Sequence, residues 1–364
     1  MVTKYLPRFT SPLRRCLTTT EMAAAKLPSP STLRRPVGLT AAAFAGGQAK
    51  KGVDRGPAAL LAGGLLSQLR HDLGLSVHWD GQFHNYSNLI PDNDPDVRGM
   101  HRPRAVSAAT RALSAQVHAH VLGGRVALTL GGDHSIGMGT VSGVARAVSE
   151  GAFGAGKELG VVWVDAHGDI NTPATSASGN VHGMPLAFLL GLVAEGGTGE
   201  EEVEEDVFGW MGREHRVSPR KLVYVGLRDL DEAEKRAIRE NGIKAYTMRD
   251  VERYGIGEVM ERALAWLGHD TPIHLSFDID SLDPSFAPST GFPVWEGLTL
   301  REGNFIAETI AATGNLVGLD LVEINPTIAP EVRCPIYLQS LQTDLFKRKW
   351  IKPSEQAALY CAAR

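Results

Sequence analysis

The sequence is poor in cysteine, has no long hydrophobic run and carries no strong charge of either sign. Each absence narrows what the chain does. Cys16, Cys334 and Cys361 are the only cysteines among 364 residues. Their number is odd and none falls in a CxxC or zinc-finger spacing. A disulfide framework therefore has no basis, and a reducing compartment fits better. No apolar run reaches the roughly 20 residues of a membrane span, so no membrane partner is expected. The formal net charge is -4, from 37 basic and 41 acidic residues. That balance gives no electrostatic case for nucleic acid as a partner. No repeat of 20–50 residues is visible. The glycine-rich GGDHSIGMG stretch lacks the GK[ST] ending of a phosphate-binding P-loop, which excludes that reading.

What is present describes a globular α/β chain. Hydrophobic residues make up 43% and charged residues 21%, the balance of a folded protein. The length suits one large α/β domain or two ordinary ones. Forty glycines fit many strand-to-helix loops. Residues 1–53 differ from the rest. They carry nine Lys or Arg but one acid, Glu21, with frequent Ser, Thr and Pro. Residues 1–35 are therefore read as a basic extension resembling a mitochondrial transit peptide, with a disordered cytosolic extension as the alternative. Localisation is expected to be mitochondrial or cytoplasmic. Residues 195–206 hold seven acids among glycines and read as a solvated loop.

Short β-rich apolar runs alternate with amphipathic segments. Strands are expected at Val37–Phe44, Leu75–Trp79, Val126–Leu130, Val161–Val164, Leu222–Val225, Lys244–Tyr246, Ile273–Phe277 and Leu316–Leu319. Helices are expected at Pro57–Leu69, Ala105–Val121, Asp231–Glu240, Glu258–Leu267 and Leu300–Ala312. Near-continuous apolar strands separated by helices predict an eight-stranded parallel sheet covered on both faces, in one domain over 36–331. The tail, 332–364, has weak periodicity.

The chemistry sits where strands end, the edge at which open α/β sheets bind ligands. One strand runs into Gly131-Gly132-Asp133-His134-Ser135. A second runs into Asp165-Ala166-His167-Gly168-Asp169, and a third into Asp278-Ile279-Asp280. Extended residues two apart point the same way. Asp165, His167 and Asp169 are expected to face one site if the chain stays extended, and so are Asp278 and Asp280. Carboxylates crowded on one edge repel unless cations neutralise them. These acids and imidazoles, with His134, suffice for two divalent ions. Oxygen-rich ligands with some imidazole and no thiolate suit Mn²⁺ better than structural zinc. Each motif alone has a plain reading, as a cap or a satisfied turn. The three together do not.

GGDHS, WVDAHGDINTP, SGNVHGMP, VGLRD, SFDIDSLDPSFAPSTG and GLDLVEINP occur in that order. As a set they resemble the ureohydrolases, and the arginase family in particular, over roughly Gly38 to Pro330. The resemblance implies a three-layer α/β/α sandwich and two Mn²⁺ per subunit. His134, Asp165, Asp169 and Asp278 would hold one ion. Asp165, His167, Asp278 and Asp280 would hold the other, with Asp165 and Asp278 bridging. The implied substrate is L-arginine, cleaved by water to L-ornithine and urea. Glu323 would pair with the guanidinium. His182 matches the acid–base and proton-shuttle histidine, and Asp280 or His182 would protonate the leaving amine. Asn171, Ser178 and Asn180 match residues that hold the α-carboxylate, and Asp231 one near the α-amino group. The family also implies a homo-oligomer, a trimer. The chain departs from the pattern at Phe292, where arginases typically have Thr, and in the tail after Pro330. These departures keep two alternatives open: a ureohydrolase acting on agmatine or guanidinobutyrate, and a non-catalytic arginase-like regulator.

Overall fold

The computed structural model describes residues 35–193 and 207–328. The acidic block, the 332–364 tail and, Arg35 apart, the basic extension lie outside the described residues. The strands are β1 (Val37–Ala42), β2 (Val77–His78), β3 (Phe83–His84), β4 (Val126–Leu130), β5 (Gly160–Val164), β6 (Leu222–Leu227), β7 (Lys244–Thr247), β8 (Ile273–Asp278) and β9 (Leu316–Val322). All pair in parallel. The order is β2-β1-β4-β9-β8-β5-β6-β7, with β3 also beside β1. The sheet therefore has the expected eight positions across it. A ninth strand arises because the outer position beside β1 is shared by β2 and β3, each two residues long. Runs that short carry no periodicity, and β3 has no sequence signature.

The helices are α1 (Gly56–Ala62), α2 (Leu65–Ser67), α3 (Pro103–Leu122), α4 (Gly137–Ser149), α5 (Pro185–Leu189), α6 (Glu232–Glu240), α7 (Met248–Leu267) and α8 (Leu300–Thr313). They cover both faces of the sheet. On one side Val162, Val164, Val223 and Val225 pack with Leu60, Val259, Met260 and Ile306, from α1, α7 and α8. On the other Val161, Trp163, Leu222 and Tyr224 pack with Val106, Leu113, Val141 and Leu186, from α3, α4 and α5. Alternate residues of one strand thus feed two cores. This is why the strand sequences are apolar throughout.

Helix α4 escaped the sequence reading. Eleven of its thirteen residues are buried, so no polar face marks its period. It lies close against α3. A Cβ on Gly143 would meet the Ser114 carbonyl oxygen at 2.5 Å and the Val117 Cβ at 3.0 Å.

Gly143→Ala is expected to lower the thermal midpoint by the equivalent of about 1–3 kcal/mol, the usual cost of overpacking. Gly257→Ala, where the nearest atom is the far end of Phe305 at 3.9 Å, should leave it almost unchanged. Calorimetry of the two variants checks this.

Candidate active site

Five adjacent strands deliver the candidate residues to their carboxyl ends. His134 follows β4, and Glu323 follows β9. Asp278 is the last residue of β8 and Asp280 lies just beyond it. Asp165, His167 and Asp169 follow β5, and Asp231 follows β6. The expectation of extended backbone holds only at the start of each motif. Asp169 adopts φ 49, and Ile279–Ser281 form a 3-10 turn. Convergence comes from these turns, because carboxylates leaving a strand bend back onto backbone N–H groups. Asp165 Oδ1 accepts from the His167 N–H at 2.7 Å, and Asp278 Oδ1 from the Asp280 N–H at 2.8 Å.

The side chains form two adjoining groups. His134 Nδ1 lies 3.0 Å from Asp165 Oδ2, 3.0 Å from Asp169 Oδ2 and 3.0 Å from Asp278 Oδ2. His167 Nδ1 lies 3.1 Å from Asp280 Oδ2 and 3.5 Å from Asp165 Oδ1. Asp165 belongs to both groups, one oxygen to each. His134 Nδ1 is buried without a hydrogen-bond partner, aimed between three carboxylate oxygens. Donor atoms about 3.0 Å apart form the edges of an octahedron with bonds of about 2.1 Å, which suits a hard divalent cation. The residues present therefore fit a metal ion.

The electrostatics point the same way. Asp165, Asp278 and Asp280 are at most 3% exposed. Burial, then the Asp165 charge, pushes Asp169 up to about 6. Burial and the charges of Asp280 and Asp165 raise Asp278 well above its ordinary value. Asp280 is also raised by burial, partly offset by His167. Asp165 alone is held below the carboxylate range, because His134 and His167 outweigh its burial. Burial alone would depress both imidazoles, but the surrounding carboxylates raise them instead. Three of the four carboxylates at this edge thus bind protons more tightly than they would in bulk water, while the imidazoles keep the fourth ionised. A divalent cation relieves the same repulsion.

Comparison with known proteins agrees with this geometry. The model of the Arginase family matches residues 35–337. The chain belongs to the arginase family. It is 56% identical over 307 residues to the arginase of Coccidioides posadasii, covering 82% of this chain and 92% of that one. It is 44% identical over 300 residues to the mitochondrial arginase-2 of Rattus norvegicus, covering 80% and 78%. Among solved structures, the Entamoeba histolytica arginase in complex with L-ornithine superposes with a TM-score of 0.72 at 31% identity, covering 86% and 98%.

In this arginase-family site the sequence reading missed the groups that hold the candidate ligands. The Trp163 indole stacks on His134 with ring centroids 4.0 Å apart, and its Nε1–H donates to Asp165 Oδ2 at 3.0 Å. His134 Nε2 meets Ser276 Oγ at 2.9 Å. Ser276 leads to Asp320, which accepts from Thr140 at 2.6 Å and sits 2.9 Å from His274 Nε2. These residues lie inside apolar strands and a buried helix, where a single Ser or Asp reads as a core exception. Gln48 donates through Nε2 to both Glu323 oxygens, at 2.9 and 2.7 Å. Its only sequence signal is a polar residue after two glycines. Glu323 has φ 62. It accepts from the His134 N–H at 2.8 Å and donates its own N–H to Gly132 O at 2.9 Å. Gly132 tolerates no side chain, since a Cβ there would meet Phe44 O at 1.6 Å.

The loop after β5 carries the remaining candidates. His182 Nδ1 lies 3.5 Å from Glu323 Oε1. Burial would depress His182, but Glu323 raises it. Asn171 Nδ2 donates to Asp231 Oδ2 at 2.7 Å, while Asp231 Oδ1 caps α6. Asp231 is therefore a helix cap as well as a site candidate. Ser178 is exposed and Asn180 half-buried, and Ser178 Oγ accepts from the Asn180 N–H at 3.2 Å. The structure places these two on the site loop but not in the buried cluster.

Trp163→Phe removes the bond to Asp165 while keeping the stacked ring. It should weaken Mn²⁺ affinity about 10–100-fold, the usual effect of losing an outer hydrogen bond to a ligand, measured by calorimetric titration. Metal binding there would also displace protons from the raised carboxylates, Asp169, Asp278 and Asp280, and from both imidazoles. Affinity is therefore expected to fall as pH drops through about 6, the value Asp169 reaches. Titrations in buffers of different ionisation enthalpy should show proton release.

Proposed function

We propose that this chain hydrolyses L-arginine to L-ornithine and urea with two Mn²⁺ per subunit. His134, Asp165, Asp169 and Asp278 would hold one ion, and Asp165, His167, Asp278 and Asp280 the other, with Asp165 and Asp278 shared. The observation that carries this reading is the convergence of three carboxylate oxygens on the unpartnered His134 Nδ1, in a chain of this family. Bound there, two divalent ions would lower the pKa of water and so supply a nucleophile near neutral pH.

The rest of the reaction rests on the chain's own residues. Burial opposes the Glu323 charge, but His182, Gln48 and the His134 N–H keep it below its ordinary value. A buried, ionised carboxylate with fixed donors is a partner for a guanidinium and holds its carbon in place. Glu323 raises His182 against its burial, which favours the protonated imidazole, the form able to give a proton to the departing ornithine amine. Asp280 is the second candidate donor. A positioned acid of this kind contributes typically ~10²–10⁴-fold. Asn171, Ser178 and Asn180 would hold the α-carboxylate and Asp231 the α-amino group. Agmatine lacks the carboxylate and would lose those contacts.

Among the described residues no helix is long and apolar enough to cross a membrane. We read the basic extension as a mitochondrial transit peptide, with a cytoplasmic protein as the alternative, and the assembly as a homo-oligomer, a trimer by family resemblance.

Full-length protein loaded with Mn²⁺ should release urea from L-arginine and not from agmatine. Glu323→Gln should lower kcat/KM about 10²–10³-fold, the scale of losing a preorganised electrostatic partner, while Mn²⁺ content stays at the wild-type level. Release from agmatine alone would favour a different ureohydrolase. Release from neither substrate, with metal bound, would favour a non-catalytic relative.

A further inference from the structure

Phe292 is the point where the chain departs from the motif it otherwise follows, and the structure gives its ring two contacts. The first is His182, with ring centroids 5.1 Å apart and planes 33° apart. The second is the Lys50 ammonium, 3.8 Å from the Phe292 centroid. Lys50 also donates through Nζ to the carbonyl of Gly291, the residue before Phe292. The one ammonium of Lys50 therefore clips this loop, at both Gly291 and Phe292, to the segment that carries Gln48.

The backbone under Phe292 is anchored as well. Thr290 forms an antiparallel bridge with Ile324, and the Asn325 N–H donates to Ser289 O at 2.8 Å. Both partners directly follow Glu323. A Cβ on Gly291 would lie 3.4 Å from Gln48 Oε1 and 3.9 Å from Glu323 Oε2. The backbone just before Phe292 thus lies beside the Gln48–Glu323 pair, and the ring itself packs against His182, with planes tilted by 33°. It offers no hydrogen bond. It offers a packing surface to an imidazole whose one ion-pair distance within reach, among the described residues, is 3.5 Å, to Glu323 Oε1.

We infer that Phe292 is a positioning residue for His182, and that Lys50 holds Phe292 in place through its cation–π contact and its bond to Gly291. A phenyl ring at 292 thereby fixes the imidazole by packing in a site where a hydroxyl side chain would act only by hydrogen bonding. The inference deepens the proposed hydrolysis, and its kinetic part rests on that reading. A misplacement of about 1 Å in a reacting group costs up to roughly 10²-fold, so a loosened His182 should lose part of that. The loss should fall on kcat, because His182 acts on the leaving group, and not on the affinity for arginine.

The test uses the full chain with two readouts. In Mn²⁺-loaded enzyme, Phe292→Ala should lower kcat on the order of tenfold with KM for L-arginine within about twofold. Phe292→Tyr should restore most of the loss. Lys50→Met should lower kcat by about two- to fivefold, the scale of one exposed cation–π contact, and Lys50→Arg should restore it. In metal-free protein with isotopically labelled histidine, the His182 ring resonances, assigned by their loss in His182→Ala, should shift in Phe292→Ala and stay in place in Phe292→Tyr. Unshifted His182 resonances in Phe292→Ala would overturn the inference, and so would wild-type kcat in that variant. A Phe292→Tyr enzyme as impaired as Phe292→Ala would do the same. If Phe292→Ala fails to fold, Phe292→Leu carries the same two readouts with the ring removed and the bulk kept. A wild-type enzyme that releases no urea would defeat the proposed function, while the resonance shifts would still decide whether Phe292 positions His182.

Discussion

Four carboxylates want to repel one another at one edge of a buried sheet, and the site is organised around containing that repulsion. Asp165, Asp169, Asp278 and Asp280 are nearly out of contact with water, where unit charges a few ångströms apart interact far more strongly than in solution. Two imidazoles, several backbone N–H groups and the Trp163 indole share the load. They hold one acid ionised and leave three raised. Such an arrangement needs a rigid scaffold, and a bound cation would relieve the remaining repulsion. The same crowding makes the site a poor place for an uncharged group and a good one for divalent metal.

The rigidity comes from the sheet. Strands β4, β9, β8 and β5 are its central members, packed on both faces; β4, β8 and β5 end in short turns that carry candidate metal ligands, and β9 ends at Glu323. Because the strands are neighbours in parallel register, a ligand at the end of one is laterally fixed against a ligand at the end of the next. The outer supports lie within those strands. Trp163 is in β5, Ser276 in β8 and Asp320 in β9, so the bonds that orient His134 and Asp165 are also part of the core. Stability and ligand geometry are therefore coupled. A cavity beneath the sheet edge would be felt as a loosened ligand.

Around the metal cluster the chain is less uniform. Glu323 is held by a left-handed backbone, by Gln48 and by a backbone N–H of the GGDHS turn, so three separate segments agree on its place. His182 is held more lightly, by its bond from N–H to Gly47 O at 3.0 Å, by Glu323 and by Phe292. The amino-acid end of the proposed substrate site is lighter still. Its residues lie on a half-exposed loop, and one of them, Asp231, is shared with a helix cap. This gradient from buried to exposed matches the division of labour expected between holding a metal and admitting a substrate.

The order of strands and helices, the parallel sheet with both faces covered, and the acids and imidazoles at strand ends were legible in the sequence. Each is a local pattern: apolar runs of strand length, helical periodicity, and polar motifs abruptly ending them. The arginase-family motifs added the partition into ligand and substrate residues, which spacing alone does not contain. Other features had no local signature. Helix α4 is buried on every side, β3 is two residues long, and Gln48 reaches Glu323 across 275 positions. The sequence determined which residues stand at the sheet edge, because apolar runs of strand length and period-3.6 helical patterns are written residue by residue. Tertiary structure alone decided which of them touch. Turns at Asp169, Ile279 and Glu323 redirect side chains that extended backbone would have sent elsewhere, and Trp163, Gln48 and Phe292 acquire their partners from segments distant in the chain.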